Sequence, residues 1–151
     1  MNHARIIPIL LLCCIPLTPA RAENPSWSGS WIWCENEPSA TNLYLYCRKT
    51  LDVAGEIRSA SLNITADSNY ILYVNATEIG RGPVRSNPKR QAYDTYDLQG
   101  VLKTGANTVC VLVHYIGTST LSYVSGRGGL LVDGTVALAD GSAVRILSDG
   151  S

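Results

Sequence analysis

The sequence predicts an all-β fold, an antiparallel jelly-roll sandwich, on three observations. Apolar residues recur with a period of two rather than 3.6. Roughly seven or eight such runs are separated by turns rich in Gly, Asn and Asp, the pattern of a sandwich. No long window carries a helical stripe, and the best helical candidate is a single turn near residues 97–103, closed by Gly105.

The first 22 residues stand outside this pattern. Asn2, His3 and Arg5 precede an almost wholly apolar stretch, residues 6–17, and Ala20-Arg21-Ala22 places small residues at the −3 and −1 positions of a cleavage site. This is the layout of a secretory signal peptide. A membrane span needs about 20 uninterrupted apolar residues, whereas this run is shorter and contains Pro8 and Pro16. The expectation is cleavage after Ala22 and a secreted or periplasmic protein with no membrane span. Taking 22 residues from 151 leaves 129, with Cys34, Cys47 and Cys110 as the remaining cysteines. Either Cys34 pairs with Cys47, or all three are small apolar residues without partners.

Residues 23–42 form a lead-in, and residues 43–151 carry the strands. Residues 43–53 are extended, with Leu45, Cys47 and Leu51 on one side and Tyr44 and Tyr46 on the other. In residues 58–66, Ala60, Leu62, Ile64 and Ala66 alternate with polar residues, as in a half-buried strand. Asp67-Ser68-Asn69 reads as a turn, residues 70–74 as a strand, and Asn75 as a tight reversal before Ile79-Gly80. Residues 108–115 are apolar at both parities and predict a central strand covered on both faces, with His114 inside. Residues 130–138 and 142–147 predict a hairpin with a two-residue turn at Asp140-Gly141. Residues 80–92 and 117–129 lack strand character, and loops this long are usually functional or interfacial.

The 12 basic and 12 acidic residues balance, so nucleic acid is not an expected partner. Loss of Arg5 and Arg21 with the leader moves the net charge to −2. No zinc spacing and no dense acidic cluster appears, so no metal or other cofactor is expected. Glycoside hydrolysis needs two facing carboxyl groups. Asp94 and Asp97 are three apart on an extended run and point to opposite faces, while Glu35 and Glu37 precede Pro38 in an exposed stretch. No catalytic residue is therefore assigned.

Order and spacing then make a resemblance specific. Trp31-Ile32-Trp33, Arg48-Lys49-Thr50-Leu51, ITADSNYILYVN (64–75), IGRGPVRSNP (79–88) and YDTYDL (93–98) together resemble the N-terminal β-sandwich module of bacterial α-L-rhamnosidases. Gly105-Ala106-Asn107, the apolar strand after it and His114-Tyr115 fit the same layout. The resemblance implies a galactose-binding-like jelly roll. It also implies a noncatalytic accessory or carbohydrate-binding module whose catalytic domain lies beyond these 151 residues. At the hairpin the family more often carries Asn-Gly. Ala76 resists a positive φ, so a type I′ turn is not expected here.

Binding is expected around residues 80–96. Arg81, Arg85 and Arg90 offer forked donors, Asp94 an acceptor, and Tyr93 and Tyr96 aromatic surface on opposite sides. Gly80, Gly82 and Pro83 read as a stiff, close-approach loop. Three readings stay open: a site for a rhamnose-containing or other glycan, docking on the missing catalytic domain, or internal pairing of Arg81 and Arg85 with Asp67 or Asp94. Trp31 and Trp33 share parity, which suits an aromatic platform, core packing or an interdomain contact. A stand-alone binding module and a purely structural spacer remain the alternatives for the chain as a whole.

Overall fold

The computed structural model describes residues 26–34, 41–87 and 89–150. The predicted leader and the Glu35/Glu37 pair lie outside the described residues. Eight strands occur among the residues described: β1 (Leu43–Val53), β2 (Ile57–Asp67), β3 (Asn69–Val74), β4 (Thr77–Gly82), β5 (Asp94–Asp97), β6 (Gly105–Tyr115), β7 (Gly129–Leu138) and β8 (Ala143–Leu147). They form two antiparallel sheets, β1-β6-β3-β4 and β5-β2-β7-β8, so the predicted all-β sandwich is what the chain adopts. The helical candidate is one turn, with Val101 and Leu102 N–H both donating to Leu98 O.

Alternation places the core between the sheets. Leu62, Ile64, Leu72, Val74, Val113 and Val136 have no exposed surface. Complete burial of each such side chain stabilises the fold by about 1.5–3 kcal/mol before the entropy cost of ordering it. Ile32 extends this packing. Its N–H and C=O both bond to Leu130, and Ser148 Oγ donates to Ser30 O at 2.7 Å. The lead-in thus lies along the start of β7, in the lane that β8 leaves open.

Four local expectations are corrected. β6 is central in its sheet but covered on one face only: Val109, Val111 and Val113 are buried, whereas Cys110, Leu112 and His114 are half-exposed on the outer face. His114 is therefore not a core histidine; its Nε2 lies 2.9 Å from Asn42 Oδ1. The β3–β4 hairpin has positive φ at both Asn75 (49°) and Ala76 (64°), the signature of the type I′ turn that Ala76 argued against. The β7–β8 connection is the four residues 139–142. Gly141 N–H donates to Leu138 O and Gly141 takes a φ of 88°, so Asp140-Gly141 is not a simple two-residue turn. Gly80 and Gly82 belong to β4, and the long loop starts at Pro83.

All three described cysteines are unpaired thiols. Burial, followed by the nearby Cys34, raises the Cys47 pKa above its ordinary value.

Candidate functional site

The two long loops, now 83–93 and 116–128, meet at one end of the sandwich. Between them sits the β2–β3 corner, where the chain leaves one sheet for the other. A cavity of about 190 Å³ opens there, with Asp67, Arg85, Gln91 and Tyr123 among its walls and Pro83 and Val124 as apolar patches. Asp67 and Gln91 also border a wider cleft of about 980 Å³, whose other walls include Trp31, Trp33, Tyr115 and Arg127. Cavity and cleft adjoin, with Asp67 and Gln91 as walls of both.

Local packing holds these groups in place. Trp33 meets Tyr115 edge to face at 5.2 Å, and Tyr115 Oη donates to Gly126 O at 3.0 Å, tying the 116–128 loop to β6. A Cβ on Gly128 would stand 2.3 Å from the Trp33 ring, so the indole lies against bare backbone. Trp31 covers Gly129 in the same way and keeps half of its surface exposed. Gln91 Nε2 donates to Ala66 O at 3.0 Å, and Thr65 Oγ1 donates to Ala92 O at 2.7 Å; both bonds anchor the 83–93 loop to β2.

Asp67 is 6% exposed and accepts a hydrogen bond from Tyr123 Oη at 2.5 Å. Burial raises its pKa above the ordinary carboxylate value, and bonds from Tyr123, Ser68 and the Gly126 backbone oppose the shift. The Tyr123 phenol is likewise pushed up, first by burial and then by Asp67. Arg85 and Arg127 are exposed and make no ion pair among the described residues. The depression therefore combines a buried acceptor, two guanidinium forks, an amide and two indoles.

The residues named from sequence separate. Arg85 lines the cavity, and Trp31 and Trp33 line the cleft. Arg81 lies on β4 and pairs with Glu78 through Nε (2.7 Å) and Nη2 (2.9 Å), so its partner is neither Asp67 nor Asp94. Arg90 is exposed, and its backbone N–H donates to Asn87 O. Tyr93 packs edge-on against Trp27 at 5.6 Å. Asp94 accepts from Tyr70 Oη at 2.5 Å, and Tyr96 Oη is 3.1 Å from the same phenol, so both belong to an internal cluster between β3 and β5. Asp67, Gln91, Tyr123 and Arg127 were missed as site residues. Only the length of the second loop pointed to Tyr123 and Arg127, while Asp67 read as a turn residue. Among the described residues no group of three or more His, Cys, Asp or Glu is placed to hold a metal ion, and no helix is long and apolar enough to cross a membrane.

These features define an antiparallel β-sandwich domain with an aromatic and polar depression at its loop end. Its similarity is to one part of much longer enzymes, the α-L-rhamnosidases of family GH78. The crystal structure of the GH78 rhamnosidase of Bacillus sp. GL1 matches 83% of this chain at 42% identity and a TM-score of 0.74, using 13% of that enzyme. An α-L-rhamnosidase of Streptomyces avermitilis is 35% identical over 101 residues, which is 64% of this chain and 9% of that protein. A lectin of Pleurotus ostreatus shares the fold at 25% identity and a TM-score of 0.61, over 83% of this chain and 34% of the lectin. No protein-family model matches. The chain spans about a tenth of the length of the rhamnosidases it matches.

Proposed function

We propose that the chain is a noncatalytic carbohydrate-binding module, the N-terminal accessory domain of a secreted α-L-rhamnosidase-like glycoside hydrolase. The carrying observation is the cleft in which Trp31 and Trp33 face the same space as Asp67, Gln91 and Arg127. Sugars present C–H faces that pack on aromatic rings, and hydroxyl pairs that match carboxylate and guanidinium forks. The cavity beside Asp67, at about 190 Å³, is below the roughly 300–1,000 Å³ of drug-sized pockets and suits a single sugar residue. Similarity to rhamnosidases and to a lectin supports the same ligand class.

Titration calorimetry of the purified chain with L-rhamnose and rhamnose-containing oligosaccharides tests the reading. Binding is expected, and Trp33→Ala or Arg127→Ala should weaken it by about 1–2 kcal/mol, roughly five- to thirtyfold. Flat titrations with every sugar overturn it. The second reading, docking on a catalytic domain, is favoured by the exposed Trp31 and by the small share of the rhamnosidases that the chain spans. In that case the same substitutions weaken association with the separately produced catalytic part and leave sugar titrations flat. Export is tested by N-terminal sequencing of protein recovered from the periplasm or medium, which should begin at Glu23.

A further inference from the structure

The outer face of the β1-β6-β3-β4 sheet holds a trough of about 430 Å³ that the loop-end site does not use. Strand register builds it. Tyr44, His114 and Asn69 stand opposite one another across β1, β6 and β3, and Leu112, Ile71 and Arg81 follow one row down. Leu112 and Ile71 form an apolar floor. Tyr44 is 54% exposed and stacks flat on His114, with ring centroids 4.3 Å apart and planes 6° apart. The Asn42 bond fixes that imidazole, so the tyrosine ring is held as one wall. Arg81 forms the other, its largely exposed guanidinium oriented by two bonds to Glu78. Asn69 and Pro83 line both the trough and the Asp67 cavity, so the two depressions adjoin at the start of β3.

We propose that this trough is a second sugar subsite, so that the domain reads a neutral oligosaccharide rather than a single residue. The terminal sugar occupies the Asp67 cavity, and the following sugars cross Asn69 and Pro83 to lie between Tyr44 and Arg81. This rests on the glycan-binding reading of the loop-end site. The lining specifies the occupant: a held aromatic face and an apolar floor match sugar C–H surfaces, Arg81 supplies forked donors whose charge Glu78 balances, and Asn69 supplies an amide. Tyr44, Tyr46, Leu112 and Ile71 together make an aromatic and apolar patch on this face, the kind that marks a binding surface.

The purified chain is titrated with L-rhamnose and with a rhamnose-terminated tetrasaccharide. The tetrasaccharide should bind roughly tenfold more tightly. In Tyr44→Ala the two affinities should converge, and Tyr44→Phe, which keeps the ring, should restore the gap. Circular dichroism confirms that each variant is folded. Equal affinities in the unsubstituted chain, or a gap that survives Tyr44→Ala, overturn the second subsite while leaving the loop-end site standing. Absence of binding to either sugar overturns both.

Discussion

Asn75 and Ala76 show how a single side chain overrides backbone preference. A non-glycine residue in the left-handed region costs about 1–2 kcal/mol, and Ala76 has no polar atom to offset it. Asn75 provides the compensation. Its Nδ2 donates to Asn107 Oδ1 at 2.8 Å and Val101 O at 3.2 Å, and its Oδ1 accepts from Thr108 N at 3.0 Å. Asn107 is itself 2% exposed and bonded to Lys103 and Gly105. Ala76→Gly should therefore raise stability by about 1 kcal/mol, read as an increased denaturant midpoint with the same slope. A second residue-scale consequence lies in Tyr70, whose pKa is pushed far above its ordinary value, first by burial and then by Asp94 and Tyr96. Because the folded pKa exceeds the unfolded one near 10, the unfolded state loses this proton first as pH rises. Stability should fall above pH 10 by about 1.4 kcal/mol per pH unit for this group, and equilibrium unfolding of Tyr70→Phe should show a shallower decline.

At the scale of elements, β4 and β5 are edge strands of different sheets held close by missing side chains. A Cβ on Gly80 would meet the Tyr96 ring at 2.5 Å, and one on Gly82 would meet Asp94 Oδ2 at 2.0 Å. The sequence reading of these glycines as close-approach residues was sound in kind, but they lie within a strand rather than a loop. Gly82→Ala should force the Tyr70–Asp94 pair apart and cost about 1–3 kcal/mol, visible as a lower melting temperature. Gly128 plays the matching role beneath Trp33. Gly128→Ala should displace the indole and weaken sugar binding several-fold, with a smaller loss of stability because the 116–128 loop is largely exposed.

For the whole molecule, two sheets enclose one core, and the proposed site lies where loops from both converge. Asp94 is engaged by Tyr70, while Asp97 is exposed on the opposite side of β5 and accepts from Gln99 N–H. Neither is free to face the other across a glycosidic bond. The purified chain should therefore bind rhamnosides without releasing rhamnose from an aryl rhamnoside, measured by chromophore release; turnover that copurifies with the chain would refute this.

The sequence by itself determined most of the strands, the inward face of β2 and the module it resembles, while it took β6 as covered on both faces and Gly80 and Gly82 as loop. Alternation is local: Leu62, Ile64 and Ala66 declare a buried face whichever strands lie beside them. It also named Trp31, Trp33 and Arg85, which the structure places in the depression. Only the tertiary structure decided that Asp67 and Arg127, 60 residues apart in numbering, share a cleft with Trp31 and Trp33. It likewise decided that Asp94 and Arg81 are committed to Tyr70 and Glu78. The reason is that register and sheet order are long-range: β2 and β3 adjoin in sequence but enter different sheets, and the corner between them becomes the floor on which distant loops meet.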